Sequence, residues 1–185
     1  ILPSLLVKAG EKQTVSSAKM QTPQTYAAVI EYGNIDYTPK NRALAKVAGQ
    51  ILSKRFLDKV REEMGATYSI WASGSLDRVD DGQNFTIQST FPMKPEMQQQ
   101  VLDYIAQEFK NMESNVTPEE LAKVVEFAVK NIEEAKEKNG GWLNGMAGEA
   151  QNGVDTFNGA ADTYKALTPA DVQDFMKAAN AQGNY

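Results

Sequence analysis

Apolar residues along this chain recur with the period of a strand in some segments and with the period of a helix in others. A continuous apolar run predicts a well-buried strand over Gln24–Tyr32. Thr38 and Pro39 are typical of a helix start, because threonine caps the first turn and proline fits its first position. Apolar positions then recur at helical spacing through Phe56, with an extension towards Gly65. The first two predicted elements are therefore a strand and a long amphipathic helix.

Two segments with a period of two follow, Tyr68–Leu76 and Phe85–Phe91, and predict an antiparallel hairpin. Helical spacing returns between Met97 and Met112. A second Thr-Pro start at Thr117 opens a third amphipathic helix, whose predicted apolar face comprises Leu121, Val124, Val125, Ala128, Val129 and Ile132. Short helices are predicted over 142–151, over 156–167 and from residue 168 onward.

The order of these elements predicts the fold class. Strands and helices do not alternate as βαβ units, so a doubly wound parallel sheet is disfavoured. We expect an α+β fold, with a mostly antiparallel sheet and helices packed on one face. Residues 1–22 are predicted to be a linker or edge segment, and 23–185 a single domain. The chain begins at Ile1, so we expect a fragment of a longer protein.

Composition excludes several kinds of chemistry. The chain has 185 residues, a formal net charge of −5, no histidine and no cysteine. Ser-His-Asp and Cys-His catalysis are therefore impossible, and the commonest zinc ligands are missing. The acidic balance argues against a nucleic-acid partner. No apolar stretch approaches the ~20 residues of a spanning helix, so membrane insertion is not expected.

The segment from Arg61 to Ser69 allows two interpretations. In the structural one, Arg61 caps or pairs at a helix end and Tyr68 continues the apolar face of its strand. In the functional one, an arginine at the end of a helix and a tyrosine at the start of a strand, with a glycine stop between them, act together. The residue pattern alone leaves both interpretations open.

The same segment reads Arg-Glu-x-x-Gly-x-x-Tyr-Ser and resembles a signature in the C-terminal half of the pitrilysin/insulinase metallopeptidases, the family with the inverted zinc motif. The resemblance extends from Pro23 to Asn180 in the order of the elements. It implies the fold of the mitochondrial-processing-peptidase-like metallohydrolases. In such enzymes two homologous halves close around a peptide, and one half carries a His-x-x-Glu-His zinc site.

What the resemblance implies for this chain is the role of the non-zinc half. Arg61 would position the substrate and Tyr68 would be the transition-state donor, with Arg61, Gly65 and Tyr68 forming the substrate-binding set. Gly65 would let the chain turn sharply, so that both side chains point into one cavity. This chain would hold no metal, and zinc would lie in a homologous partner half on the same or another chain. The substrate would be an oligopeptide or an extended polypeptide, and the fragment alone would be inactive.

Two other functions stay open. One is a non-catalytic structural or assembly domain of the same fold, and the other is a peptide-binding module unrelated to zinc chemistry. The compartment is also open between a periplasmic or other extracytoplasmic site and the cytoplasm.

Overall fold

A computed structural model of the chain describes Gly10, residues 23–78 and residues 84–185. Its three described strands are β1 (Thr25–Gly33), β2 (Ala72–Leu76) and β3 (Phe85–Met93), and they form one antiparallel sheet in the order β1-β3-β2. β2 and β3 are the predicted hairpin. Most of their connection, residues 79–83, lies outside the described residues, as does the predicted linker or edge segment at 1–22 apart from Gly10.

Within residues 23–78 and 84–185, six α-helices occur in the chain order predicted from the sequence: α1 (Pro39–Phe56), α2 (Gln98–Asn111), α3 (Pro118–Lys136), α4 (Asn139–Asn152), α5 (Ala160–Lys165) and α6 (Pro169–Asn180). A π-helical segment, Leu57–Glu63, continues α1 directly, and a 3₁₀ turn, Pro95–Met97, precedes α2. Within the described residues, no helix combines the length and the apolar character needed to cross a bilayer.

Capping side chains explain where three of the helices begin. The Thr38 hydroxyl accepts a hydrogen bond from the Asn41 amide at 3.0 Å, ahead of Pro39. α3 and α6 start with complete capping boxes, in which a threonine and an acidic residue three positions later satisfy each other's backbone amides. The Thr-Pro pattern therefore located the helix starts correctly.

The core lies between one face of the sheet and the helices. Along β3, Phe85, Ile87, Ser89, Phe91 and Met93 are buried, whereas the residues between them face the other way. α1 supplies a fully buried stripe against β2 and β3, comprising Val47, Ala48, Ile51, Leu52 and Phe56. This arrangement confirms the predicted α+β class, with the helices on one face of an antiparallel sheet.

One prediction of burial was wrong. β1 is buried only at Glu31, Tyr32 and Gly33, while Tyr26 and Ile30 on its outer face are 69% and 40% exposed. No described element covers that face, so a continuous apolar run does not mean burial on both sides here. The predicted apolar face of α3 does pack on the core, with Leu121 and Ala128 buried and the other four residues, Val124, Val125, Val129 and Ile132, partly buried against it.

Charged side chains join the ends of three helices. Arg55 at the end of α1 bonds Glu120 of α3 through Nε at 2.8 Å, and its Nη1 bonds Glu108 of α2 at 3.1 Å. The guanidinium also donates to the backbone and side chain of Asn115. Burial is the largest single influence on the pKa of Glu120 and would raise it, but the bonds and charge of Arg55 together with the bonds from Thr117 leave that pKa below its usual value. The network fixes the helix layer beside the π-helical segment.

Candidate functional site

Arg61 lies on the π-helical segment that extends α1. The fully buried Val60, its neighbour in sequence, anchors this segment to the core. The Arg61 side chain is about half exposed, and its Nε lies 3.6 Å from the carboxylate of Glu62. This distance is too long for a hydrogen bond, so the guanidinium keeps donors for another partner. Short π-helical turns occur frequently at functional sites.

Gly65 makes the turn that the sequence predicted. Its φ of +58° lies in the left-handed region, and its amide donates to the Arg61 carbonyl at 3.2 Å. A Cβ added at this position would meet no atom within 4 Å. Glycine is therefore favoured here by the left-handed backbone conformation, and not by a lack of space for a side chain.

The strand predicted to start at Tyr68 begins four residues later, at Ala72. Between them the backbone is irregular, because the Thr67 hydroxyl accepts from the Ser69 amide at 3.2 Å and donates to the Ser69 carbonyl at 3.0 Å. Such local side-chain bonds compete with a sheet ladder. The segment is still tied to the sheet at both ends, where the Lys94 amide donates to the Ala66 carbonyl and the Ser89 hydroxyl donates to the Trp71 carbonyl.

Tyr68 does not continue the apolar face of the strand. It is 92% exposed, whereas Ile70, two residues later, is 4% exposed and joins the core. The structural interpretation of Tyr68 was therefore wrong, and its phenol projects from an anchored segment into open space. Among the described residues, Arg61, Gly65 and Tyr68 occupy one junction between the π-helical segment and β2, with the Arg61 side chain about half exposed and Tyr68 almost fully exposed.

The outer face of the sheet begins beside this junction. The register places Ile30, Gln88 and Ser73 in one row across β1, β3 and β2, on the face away from the helices. Trp71, at the start of β2, is 48% exposed. The surface mixes apolar groups with amide and hydroxyl groups, and it could contact an extended polypeptide. The sequence analysis did not identify this surface, although the alternation of apolar and polar residues along β3 indicated a second, polar face of the sheet.

The metal chemistry of the chain is limited by its side chains. Histidine and cysteine are missing from the whole sequence. Among the residues that the structure describes, no group of three or more acidic side chains could hold a metal ion.

Comparison with known proteins agrees with this fold. The sequence matches the family described as the peptidase M16 inactive domain over residues 3–127. No curated protein sequence matches the chain. The periplasmic protease PqqL from Escherichia coli has a similar fold, with a TM-score of 0.76 and 15% identity over 92% of this chain and 19% of that one.

Two other solved structures share the fold. A mutant of the ferredoxin protease FusC, in complex with Arabidopsis ferredoxin, gives a TM-score of 0.78 and 14% identity over 96% of this chain and 19% of its own. Pitrilysin gives 0.60 and 16% identity over 87% of this chain and 17% of its own. The chain thus spans about a fifth of the length of these proteases. The family match covers most of the sequence, and the chain belongs to the peptidase M16 inactive domains.

Proposed function

We propose that this chain is the substrate-binding, non-zinc half of a zinc-dependent peptidase that hydrolyses oligopeptides or extended polypeptide segments. The observation that carries the proposal is the junction of Arg61, Gly65 and Tyr68. It presents an almost fully exposed phenol on a segment held at both ends by bonds to the sheet. A phenol that is exposed on an anchored segment is available as a hydrogen-bond donor to a bound substrate.

Tyr68 would donate a hydrogen bond from its hydroxyl to the oxyanion that develops on the scissile carbonyl. Such a donor is effective when it is held rigidly and water is excluded. The Ala66 and Trp71 anchors supply the rigidity. Exclusion of water would come from closure against the partner half, because Tyr68 is open to solvent in this chain.

Arg61 would hold the substrate backbone. A guanidinium has several planar donors that suit peptide carbonyls or a terminal carboxylate. The outer face of the sheet next to the junction would extend the contact along the peptide. Among proteins of similar fold, FusC is a ferredoxin protease, which supports a polypeptide as the substrate class.

The zinc would belong to a homologous partner half, on the same or another chain. A bound zinc ion would polarise the scissile carbonyl and activate a water molecule. The residues of this chain do not fit the metal, since histidine and cysteine are missing. The proteases of similar fold are about five times as long as this chain, which leaves room for such a half in the parent protein.

Steady-state kinetics on the protein reassembled with its zinc-bearing half tests the proposal. Tyr68→Phe should lower kcat/KM for peptide hydrolysis by about 10²-fold, because loss of one oxyanion donor commonly costs roughly 2.7–4 kcal/mol of transition-state stabilisation. Tyr185→Phe is the matched control, since Tyr185 is also exposed and follows Asn184, whose carbonyl accepts from the Tyr32 amide at the end of β1 opposite to the junction. Zinc content and circular dichroism should stay unchanged in both variants.

Arg61→Ala should affect KM more than Tyr68→Phe does, because the guanidinium would contact the substrate equally in the ground state and the transition state. Lys59→Ala removes a neighbouring cation of the same π-helical segment and serves as its control. If Tyr68→Phe and Arg61→Ala both cleave peptides at the wild-type rate, the site assignment fails. An assembly role for the domain would then be the better explanation.

A further inference from the structure

The indole of Trp71 lies on the outer face of the sheet, three residues after Tyr68. Its neighbours Ile70 and Ala72 are buried in the core, whereas Trp71 between them is about half exposed. Side chains alternate between the two faces of a strand, so the indole points away from the helices. The Ser89 hydroxyl donates to the Trp71 carbonyl at 2.7 Å. The backbone that carries the indole is therefore held in place, while the indole itself stays accessible.

The strand register gives the neighbours of Trp71 across the sheet. Ala72 pairs with Ser89, so one further step along β2 places Trp71 opposite Thr90 of β3. Thr90 in turn pairs with Ala28 of β1. Thr90 and Ala28 are small and exposed. The row that starts at the indole therefore has a low surface beside it.

Two apolar side chains of β1 bound the other side of this low surface. Tyr26 and Ile30 flank Ala28 on the same face of β1, and both are exposed. Neighbouring strands are about 4.8 Å apart, so β1 and β2 lie about 10 Å apart on either side of β3. We call the space between Trp71 and these two side chains, above Thr90 and Ala28, the trough. A ring placed midway would lie about 5 Å from each side, within the range at which aromatic rings pack.

The trough has an uncharged surround. Gln88, Ser73 and Pro92, which lie next to it on the same face of the sheet, carry no charge, although 23% of the whole chain is charged. Lys94 is the first charged residue after Thr90, about 13 Å further along the strand direction. A charged side chain buried in the trough would lack a partner, which is costly. The trough therefore favours an apolar side chain.

The trough lies within reach of the proposed catalytic tyrosine. An extended chain spans at most about 3.6 Å per residue, so the Cα atoms of Tyr68 and Trp71 are at most about 11 Å apart. An extended peptide advances by a similar distance per residue. A peptide with its scissile carbonyl at Tyr68 can thus place a side chain in the trough from a position within about three residues of that bond.

We propose that Trp71 determines substrate specificity, by receiving a large apolar side chain of the peptide within about three residues of the scissile bond. The proposal rests on the proposed function, because Tyr68 sets where the scissile bond lies. Tyr68 and Trp71 belong to one anchored segment, so a peptide that contacts the first extends over the second. The indole and the side chains of Tyr26 and Ile30 would cover the inserted group and exclude water from it.

Steady-state kinetics on the parent peptidase, with its zinc-bearing half, tests this specificity. The substrates are peptides that differ only by Phe, Ala or Glu at one position, scanned over the three positions on each side of the scissile bond. At one position, kcat/KM should be higher for Phe than for Ala by about tenfold or more. Trp71→Ala should remove most of this preference and leave cleavage of the Ala peptide unchanged. Trp142→Ala removes the other tryptophan, on α4, and should keep the preference.

A charge placed on the floor of the trough gives a second, independent variant. Thr90 is exposed, so Thr90→Lys leaves the core intact. The new ammonium group should disfavour the Phe peptide and pair with the Glu peptide, so the order of their kcat/KM values should reverse. Gln100→Lys makes the same charge change at an exposed position of α2 and should keep the wild-type order.

Tryptophan fluorescence measures occupancy of the trough without hydrolysis. In a Trp142→Phe background, Trp71 is the only tryptophan of this chain. With zinc removed by chelation, the Phe peptide should shift the Trp71 emission to shorter wavelength, and the Ala peptide should not. Measuring the 185-residue chain in this background, free of the other half, isolates the Trp71 signal from any tryptophan elsewhere in the parent.

The outcomes separate this proposal from the proposed function. Wild-type rates for both Tyr68→Phe and Arg61→Ala would overturn the catalytic assignment, while the fluorescence shift would still support a peptide side chain in the trough. The specificity proposal is overturned if the wild type cleaves the Phe and Ala peptides equally at every position. It is also overturned if Trp71→Ala keeps the preference, or if Thr90→Lys keeps the wild-type order.

Discussion

At the scale of single residues, Glu31 is the most unusual group in the core. It lies on β1 opposite Ile87, is 4% exposed, and its Oε2 has no hydrogen-bond partner. Burial, and to a lesser extent the charge of Glu113, raise the pKa of Glu31 to about 8. A carboxyl group in this position is held neutral at pH values where an exposed glutamate is ionised.

This carboxyl should make stability depend on pH. Below the unfolded pKa of 4.5 both states are protonated, so Glu31 contributes no dependence there. As the pH rises from that value to about 8, the unfolded chain loses the proton first, and the free energy of unfolding should fall by up to about 1.4 kcal/mol per pH unit. Glu31→Gln should remove this decline and stabilise the protein above neutrality.

Urea unfolding across the acid-to-alkaline range, on the wild type and on Glu31→Gln, measures the effect. Glu126→Gln on the exposed side of α3 is the control, and it should keep the wild-type pH profile. Equal slopes for the wild type and Glu31→Gln would show that Glu31 is ionised in the folded state.

At the scale of elements, α1 and β2 approach each other closely enough to exclude side chains. A Cβ on Gly74 of β2 would lie 1.8 Å from the carbonyl oxygen of Ala45 on α1. The atom in the way belongs to the helix backbone, which cannot rotate aside as a side chain can. This contact positions the strand that follows the Arg61–Tyr68 junction.

Gly74→Ala should therefore destabilise the fold by roughly 1–3 kcal/mol or more, because the helix and the strand must move apart. Gly148→Ala in α4 is the control, since a Cβ there meets nothing within 4 Å and alanine favours a helix interior by about 0.5–1 kcal/mol. In chemical denaturation, the midpoint should thus fall for Gly74→Ala and rise for Gly148→Ala. A neutral Gly74→Ala would mean that α1 and β2 are not in this close contact.

Local signals in the sequence predicted most elements, and tertiary context decided the rest. Thr-Pro starts and hydrophobic spacing located the helices because capping and amphipathicity act within a few residues. The strand start at Tyr68 was wrong because the Thr67 hydroxyl bonds locally to Ser69, which periodicity cannot detect. The open outer face of β1 was missed because burial depends on which layers exist, not on the residues of the strand.

The candidate site shows the same division. The sequence supplied the identities of Arg61, Gly65 and Tyr68, and the positive φ of Gly65 confirms the reason for the glycine. Their roles in hydrolysis remain predictions.

At the scale of the whole molecule, the absence of histidine and cysteine fits a division of labour between two halves. A chain with only carboxylate ligands can offer oxygen atoms to a metal, but the stronger zinc sites use imidazole or thiolate. Among the described residues the carboxylates do not gather into a group of three. The surface that would face a partner half carries Tyr68 and Trp71 instead of metal ligands.

The 185-residue chain alone should therefore neither bind zinc tightly nor hydrolyse peptides. Calorimetry with Zn²⁺ at neutral pH should show no stoichiometric site, since affinity for structural zinc comes from deprotonated thiolate and imidazole ligands. A zinc-finger peptide titrated in the same buffer controls for metal availability, and a peptidase assay of the same sample controls for activity from contaminants. One-to-one zinc binding with sub-micromolar Kd would contradict the assignment of the metal to the other half. Peptide hydrolysis that tracks this chain through purification and is lost on chelation would contradict it as well.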